Sequence, residues 1–104
     1  MIKLQPDEAY LEGRWTRIDG KPTADDVAQR IVWLTKDVLK EIAVDESGWD
    51  TLFVDPADGR LWERTYLHSE YHGGGPPTLQ LIGRSEAMRK YGEIVLRKPP
   101  ATQE

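Results

Sequence analysis

Trp49-Asp50-Thr51-Leu52-Phe53-Val54, then Asp55-Pro56-Ala57-Asp58-Gly59, then Arg60-Leu61-Trp62-Glu63-Arg64-Thr65-Tyr66 is the stretch that decides the fold. Its outer segments are rich in aromatic and β-branched residues, which suit a pleated, half-buried surface. In the middle, Pro56 pre-sets φ for a turn and Gly59 can take φ > 0. The stretch predicts a β-hairpin. Strand alternation puts Glu63 and Thr65 on one face and Trp62, Arg64 and Tyr66 on the other. A carboxylate so placed is expected to be partly buried, hydrogen-bonded to loop amides or paired with an Arg.

Upstream of the hairpin, Val27, Ile31, Leu34, Val38 and Ile42 recur at helical spacing and draw one stripe. The stripe predicts a helix over 24–44, with Thr23 or Asp25 as cap and Asp25 and Asp26 at the positive end of the dipole. Gly48 and the turn-like Asp45-Glu46-Ser47 follow it. Further strands are expected at 11–18, ending at Asp19-Gly20, and at 78–82, with Leu79 and Leu81 on one face. Residues 85–91 read as a short helix stopped by Gly92, and 93–97 as a last edge strand. These pieces fit an α+β fold of two layers: one long helix on an antiparallel sheet of four or five strands, plus a short C-terminal helix. Residues 1–98 form one domain in this reading, and 99–104 a frayed tail.

The 104 residues are 38% hydrophobic and 31% charged, enough for one core. Four Trp, four Tyr and one Phe argue against disorder. Trp15, Trp33 and Trp62 are expected in the core and Trp49 partly exposed. With no Cys there are no disulfides, thiol nucleophiles or Cys-based zinc sites. No apolar run suits a membrane span or a signal peptide, so a cytoplasmic location is expected. The net charge of −4 disfavours direct nucleic-acid binding through phosphates. Residues 1–83 carry 9 basic and 15 acidic side chains, and 84–98 carry 5 and 2. An acidic body of this kind can steer a basic protein partner.

His68-Ser69-Glu70-Tyr71-His72-Gly73-Gly74-Gly75-Pro76-Pro77 must be an irregular loop between strands. It lacks the Lys-Ser or Lys-Thr of a phosphate-binding loop and leads into a strand. His68 and His72 would face one way only on a helix, which their neighbours forbid, so no metal and no cofactor are expected. Gly73, Gly74, Gly75, Pro76 and Pro77 then shape the loop, while Glu70, Tyr71 and His72 are presented to a partner. Asp45, Glu46 and Trp49, in and beside the other acidic turn, complete the candidate contact set. A small hydrolase or ligand-binding enzyme using Glu63, Glu70 and His72 is the competing reading, and it requires all three in one cleft.

Gly48-Trp49-Asp50-Thr51-Leu52, Asp55-Pro56-x-Asp58-Gly59-Arg60, Trp62-Glu63-x-Thr65-Tyr66 and Ser69-Glu70-x-His72-Gly73-Gly74-Gly75-Pro76-Pro77 together resemble the Immunity protein 27 family of bacterial polymorphic toxin systems. The likeness extends to Gly13-x-Trp15, Arg30-Ile31-x-Trp33-Leu34 and Ala87-x-x-x-Tyr91-Gly92. Arg64, Leu67 and His68 depart from the pattern, where Leu, Pro and Gln are usual. The resemblance implies a non-enzymatic immunity protein whose partner is a cognate toxin, and a monomer or weak homodimer is expected. A basic nuclease domain would suit the acidic body. It supplies no catalytic residue.

Overall fold

The computed structural model describes residues 1–66, 75–93 and 95. The strands in chain order are β1 (Tyr10–Glu12), β2 (Trp15–Ile18), β3 (Lys21–Ala24), β4 (Lys40–Val44), β5 (Thr51–Val54), β6 (Leu61–Thr65) and β7 (Thr78–Leu81). The helices are α1 (Asp26–Trp33), which continues into a π-helical turn at Leu34–Val38, and α2 (Arg84–Tyr91). Five strands form one antiparallel sheet in the order β1-β7-β6-β5-β4, while β2 and β3 form a separate hairpin. This is the α+β fold expected, with the long helix on an antiparallel sheet.

The β5–β6 hairpin lies inside the sheet and pairs Phe53 with Trp62 and Leu52 with Glu63. The Asp55 N–H donates to Arg60 O at 2.9 Å, Gly59 N–H donates back to Asp55 O at 2.7 Å, and Gly59 takes φ 80°. Every residue of β5 is buried. A strand buried on both faces needs a cover on each. Phe53, Trp62 and Leu79 meet Ile31 and Leu34 of the long helix on one face. Leu52, Val54, Leu61 and Ile82 meet Ala87, Met88 and Tyr91 of α2 on the other. Each large side chain fully buried here stabilises the fold by about 1.5–3 kcal/mol.

Asp25 caps α1, its carboxylate accepting the Ala28 N–H at 2.8 Å. The helical segment ends at Val38, not at Val44. The Leu39 N–H donates to Leu34 O at 2.8 Å, closing the π turn, and Leu39 is extended. Leu39 enters the α1-side core, whereas Ile42 enters the α2-side core from a bulge in β4. The apparent stripe from Val38 to Ile42 therefore joins two different cores, and edge pairing with β5 overrides the helical spacing.

The strand expected over 11–18 is broken. Gly13 donates its N–H to Pro77 O at 2.9 Å, and a Cβ there would sit 2.6 Å from that oxygen and 2.8 Å from Ala28 Cβ. The chain leaves the sheet at this close contact and turns into the β2–β3 hairpin, whose tip is Asp19 (φ 53°) and Gly20 (φ 77°). That is the left-handed pair a two-residue hairpin turn requires. Trp15 on this hairpin is 54% exposed, contrary to its expected place in the core, while Trp62 is fully buried and Trp33 packs half-buried against the α1-side core. The edge strand expected over 93–97 is corrected at Val95. That residue is in a helical turn and buried in the α2-side core, while 94, 96 and 97 lie outside the described residues.

The N-terminal segment is held by two arginines. Arg30 makes a two-pronged pair with Glu8, both contacts at 2.8 Å, and also donates to Ile2 O and Lys3 O. Arg60 donates to Gln5 O and Glu8 O. Leu4 is thereby seated in the core. The hydrogen bonds from Arg30 pull the Glu8 carboxyl down from 4.5 to about 2.

Gly13→Ala is expected to destabilise the fold by about 2–3 kcal/mol, because the new methyl meets main chain and a buried helix. Chemical denaturation checks it. Glu8→Gln is expected to cost about 1–2 kcal/mol at neutral pH. Because the folded carboxyl titrates below the unfolded one, that stability is present above pH 4.5 and is lost as pH falls toward about 2. Denaturation of both chains across this window should show their stabilities converging at the acid end.

Candidate functional site

The β4–β5 connection, residues 45–50, is acidic, tight and carries an exposed aromatic ring. Asp45 organises it from within. Its Oδ1 accepts from Ser47 Oγ at 2.8 Å, Gly48 N at 3.0 Å and Asp50 N at 3.2 Å. Burial opposes the charge on Asp45, but these donors prevail and lower its pKa. Asp45 is therefore committed to the turn, while Glu46 points to solvent and Trp49 is 46% exposed.

Trp49 is supported from below. Its ring meets Tyr66 edge-on, with centroids 5.8 Å apart. The Arg64 guanidinium lies 5.7 Å from the Tyr66 ring and 5.4 Å from Phe53, and it donates to Thr51 Oγ1 at 3.1 Å. Alternation along β5 and β6 produces this ladder, since Thr51 pairs with Arg64 and Phe53 with Trp62. A ring held this way presents area to a partner at little entropic cost.

The turn is also tied to α2. The Lys90 ammonium donates to Asp50 Oδ2 at 2.7 Å and to Glu63 Oε2 at 2.6 Å. Tyr91 OH donates to the same Glu63 oxygen at 2.7 Å, and Gln80 Nε2 to the other at 3.2 Å. Glu63 is 4% exposed. Burial opposes the Lys90 charge, yet its bonds to Asp50 and Glu63 outweigh that and raise its pKa. Burial first, and then the facing Glu63 carboxylate, push the Tyr91 phenol well above its usual range.

Glu63 was expected to be buried and bonded, and it is. Its partners are Lys90, Tyr91 and Gln80 in place of loop amides or an Arg. Both of its oxygens are occupied, which suits a structural carboxylate and not an acid or base facing substrate. Glu70, Tyr71, His72, Gly73 and Gly74, with His68, lie outside the described residues. Gly75, Pro76 and Pro77 are half-buried, and Pro77 O receives the Gly13 N–H. Among the described residues no group of three His, Asp or Glu could hold a metal ion. No helix of the described residues is long and apolar enough to cross a membrane.

The Immunity protein 27 family model matches residues 17–83, the span from the β2–β3 hairpin to the start of α2. The chain belongs to that family. Membership gives the chain an immunity role and favours a protein without enzymatic activity. No curated protein and no solved structure matches the chain. In this Immunity protein 27 chain the matched span contains the acidic turn, the Trp49–Tyr66–Arg64 ladder and Glu63. Lys90 and Tyr91, which complete the buried network, lie beyond it. Lys90 gave no signal of its own in the sequence, because a lysine on a short basic helix reads as a solvated face.

Tyr91→Phe is expected to remove an alkaline weakness. A phenol whose folded pKa is raised stabilises the fold fully below pH 10 and loses that contribution as pH rises above it. Thermal unfolding between pH 8 and about 11.5 should show wild type declining more steeply than the variant.

Proposed function

We propose that this chain is an immunity protein that binds a cognate toxin and covers its active site or substrate groove. The observation that supports it most is the family match joined to a rigid, outward-facing Trp49 beside Glu46 on a turn pinned by Asp45 and Lys90. Interfaces of this kind bury about 1,200–2,000 Å² and draw most of their energy from a few aromatic or charged anchors. Trp49 and Glu46 are the anchors in this reading, with Asp45 and Asp50 shaping the turn and Glu70, Tyr71 and His72 adding further contacts. A basic groove on the toxin, as in a nuclease, would meet the acidic body of residues 1–83 favourably. Inhibition then needs no chemistry from this chain, no metal and no cofactor. The chain acts in the cytoplasm, as a monomer or weak homodimer.

Co-expression with the toxin domain encoded beside it tests the reading. Protection of the cells and a complex that survives gel filtration are expected. Trp49→Ala should weaken the complex by roughly 2 kcal/mol, about 30-fold, with only the small fall in melting temperature that loss of the Tyr66 contact brings. No complex at micromolar concentrations, with no protection, would remove the proposal.

A further inference from the structure

The β2–β3 hairpin is built into the fold firmly, and yet its first strand buries nothing. Its base is fixed at three points. Arg14 N–H donates to Asp25 Oδ1 at 3.1 Å, Asp25 N–H donates to Arg14 O at 2.9 Å, and Gly13 is wedged between Pro77 and Ala28. Its tip is closed by Arg17 Nη1 donating to Gly20 O at 2.9 Å. All four residues of β2 are exposed, Trp15 at 54% and Ile18 at 57%. Large apolar side chains on a braced arm do not serve the arm's own stability.

The two edges of the hairpin differ. Across a two-residue turn the closing pair, Ile18 with Lys21, is the hydrogen-bonded one. The next pair, Arg17 with Pro22, then turns its main-chain groups outward, as does Trp15 with Ala24. Pro22 has no N–H, so the outer edge of β3 is blunted against a further strand. The outer edge of β2 keeps the N–H and C=O groups of Trp15 and Arg17, and no described strand pairs with it. Trp15, Thr16, Arg17 and Pro22 line an open depression of about 530 Å³.

The charge names the occupant. Residues 14–24 carry Arg14, Arg17 and Lys21 against Asp19 alone, on a chain of net charge −4. Arg14 reaches Glu12 only at 3.7 Å, and its side chain stays 71% exposed. The Asp25 carboxylate is already engaged by the main chain of Arg14 and Ala28.

We propose that the outer edge of β2 is a second docking site, which takes an extended acidic segment of the toxin. That segment pairs with the Trp15 and Arg17 main chain, sets an apolar side chain against Trp15 and lays its carboxylates toward Arg14, Arg17 and Lys21. The site leaves the fold from the β1 edge of the sheet, whereas the Trp49 turn belongs to the β4 edge. One toxin gripped at both gains from the linkage of two contacts. The inference rests on the immunity reading.

The test measures affinity of the full chain for the toxin domain encoded beside it, using wild type, Trp15→Ala, Arg17→Gln and Arg17→Pro. Trp15→Ala should weaken binding by at least about 30-fold with an unchanged melting temperature. Both Arg17 variants lose the charge and the bond to Gly20 O, and Arg17→Pro loses the outward N–H as well, so the proline variant should bind more weakly than the glutamine one. Wild type that binds and protects, with Trp15→Ala equal to it, overturns this inference and leaves the immunity reading standing. Wild type that does not bind overturns both. Trp15-dependent binding to a labelled 20-base-pair DNA duplex, or Trp15-dependent self-association in sedimentation, with toxin binding unaffected by the variants, also overturns it.

Discussion

The hairpin of β5 and β6 is buried on both faces, and β6 carries a buried carboxylate, Glu63. From that constraint much of the molecule follows. Phe53 and Trp62 require the long helix on one side; Leu52, Val54 and Leu61 require α2 on the other. Glu63 faces α2 and must be met there, because a buried charge without partners costs several kcal/mol. Lys90, Tyr91 and Gln80 meet it. That match sets the register of α2 on the sheet, and since Lys90 also holds Asp50, it sets the β4–β5 turn. The exposure of Trp49 is thus a consequence of how Glu63 is satisfied.

Sequence and structure agree where one local signal dominates. The Asp55–Gly59 turn, the alternation of Trp62, Glu63 and Arg64, and the Gly92 stop each rest on nearby residues and are found as read, and of the two cap candidates Asp25 is the one used. They part where two signals overlap. Val38 and Ile42 stand at helical spacing, but they serve different layers, and only the pairing of β4 with β5 reveals it. Asp19-Gly20 reads equally as a strand end or a hairpin tip. Distinguishing them required knowing that Gly13 has no room for a side chain. Trp15 was expected in the core on its size alone, and nothing in its neighbours shows that the chain has left the sheet by then.

Within the candidate site, the exposure of Glu46 and Trp49 was legible because an acidic turn before a strand exposes its tip. The structure separates them from Asp45, whose charge is spent on the Ser47 hydroxyl and two amides of the turn itself. The brace behind the site was not legible, since Lys90 lies 40 residues from Asp50 and 27 from Glu63 in the chain. Together these features describe a rigid scaffold with an acidic aromatic turn at one sheet edge and a basic aromatic hairpin leaving from the other. Such a scaffold leaves aromatic rings exposed at two places, while its buried Glu63 carboxylate is locked in structural bonds.

A protein that inhibits by lying over its target acts mole for mole. Titration of the toxin's activity with increasing amounts of this chain tests that most directly. Residual activity is expected to fall in a straight line and reach zero near one equivalent, with full activity regained when the complex is dissociated. Continued loss of toxin activity over time at a small fraction of an equivalent would show turnover, and would contradict the account.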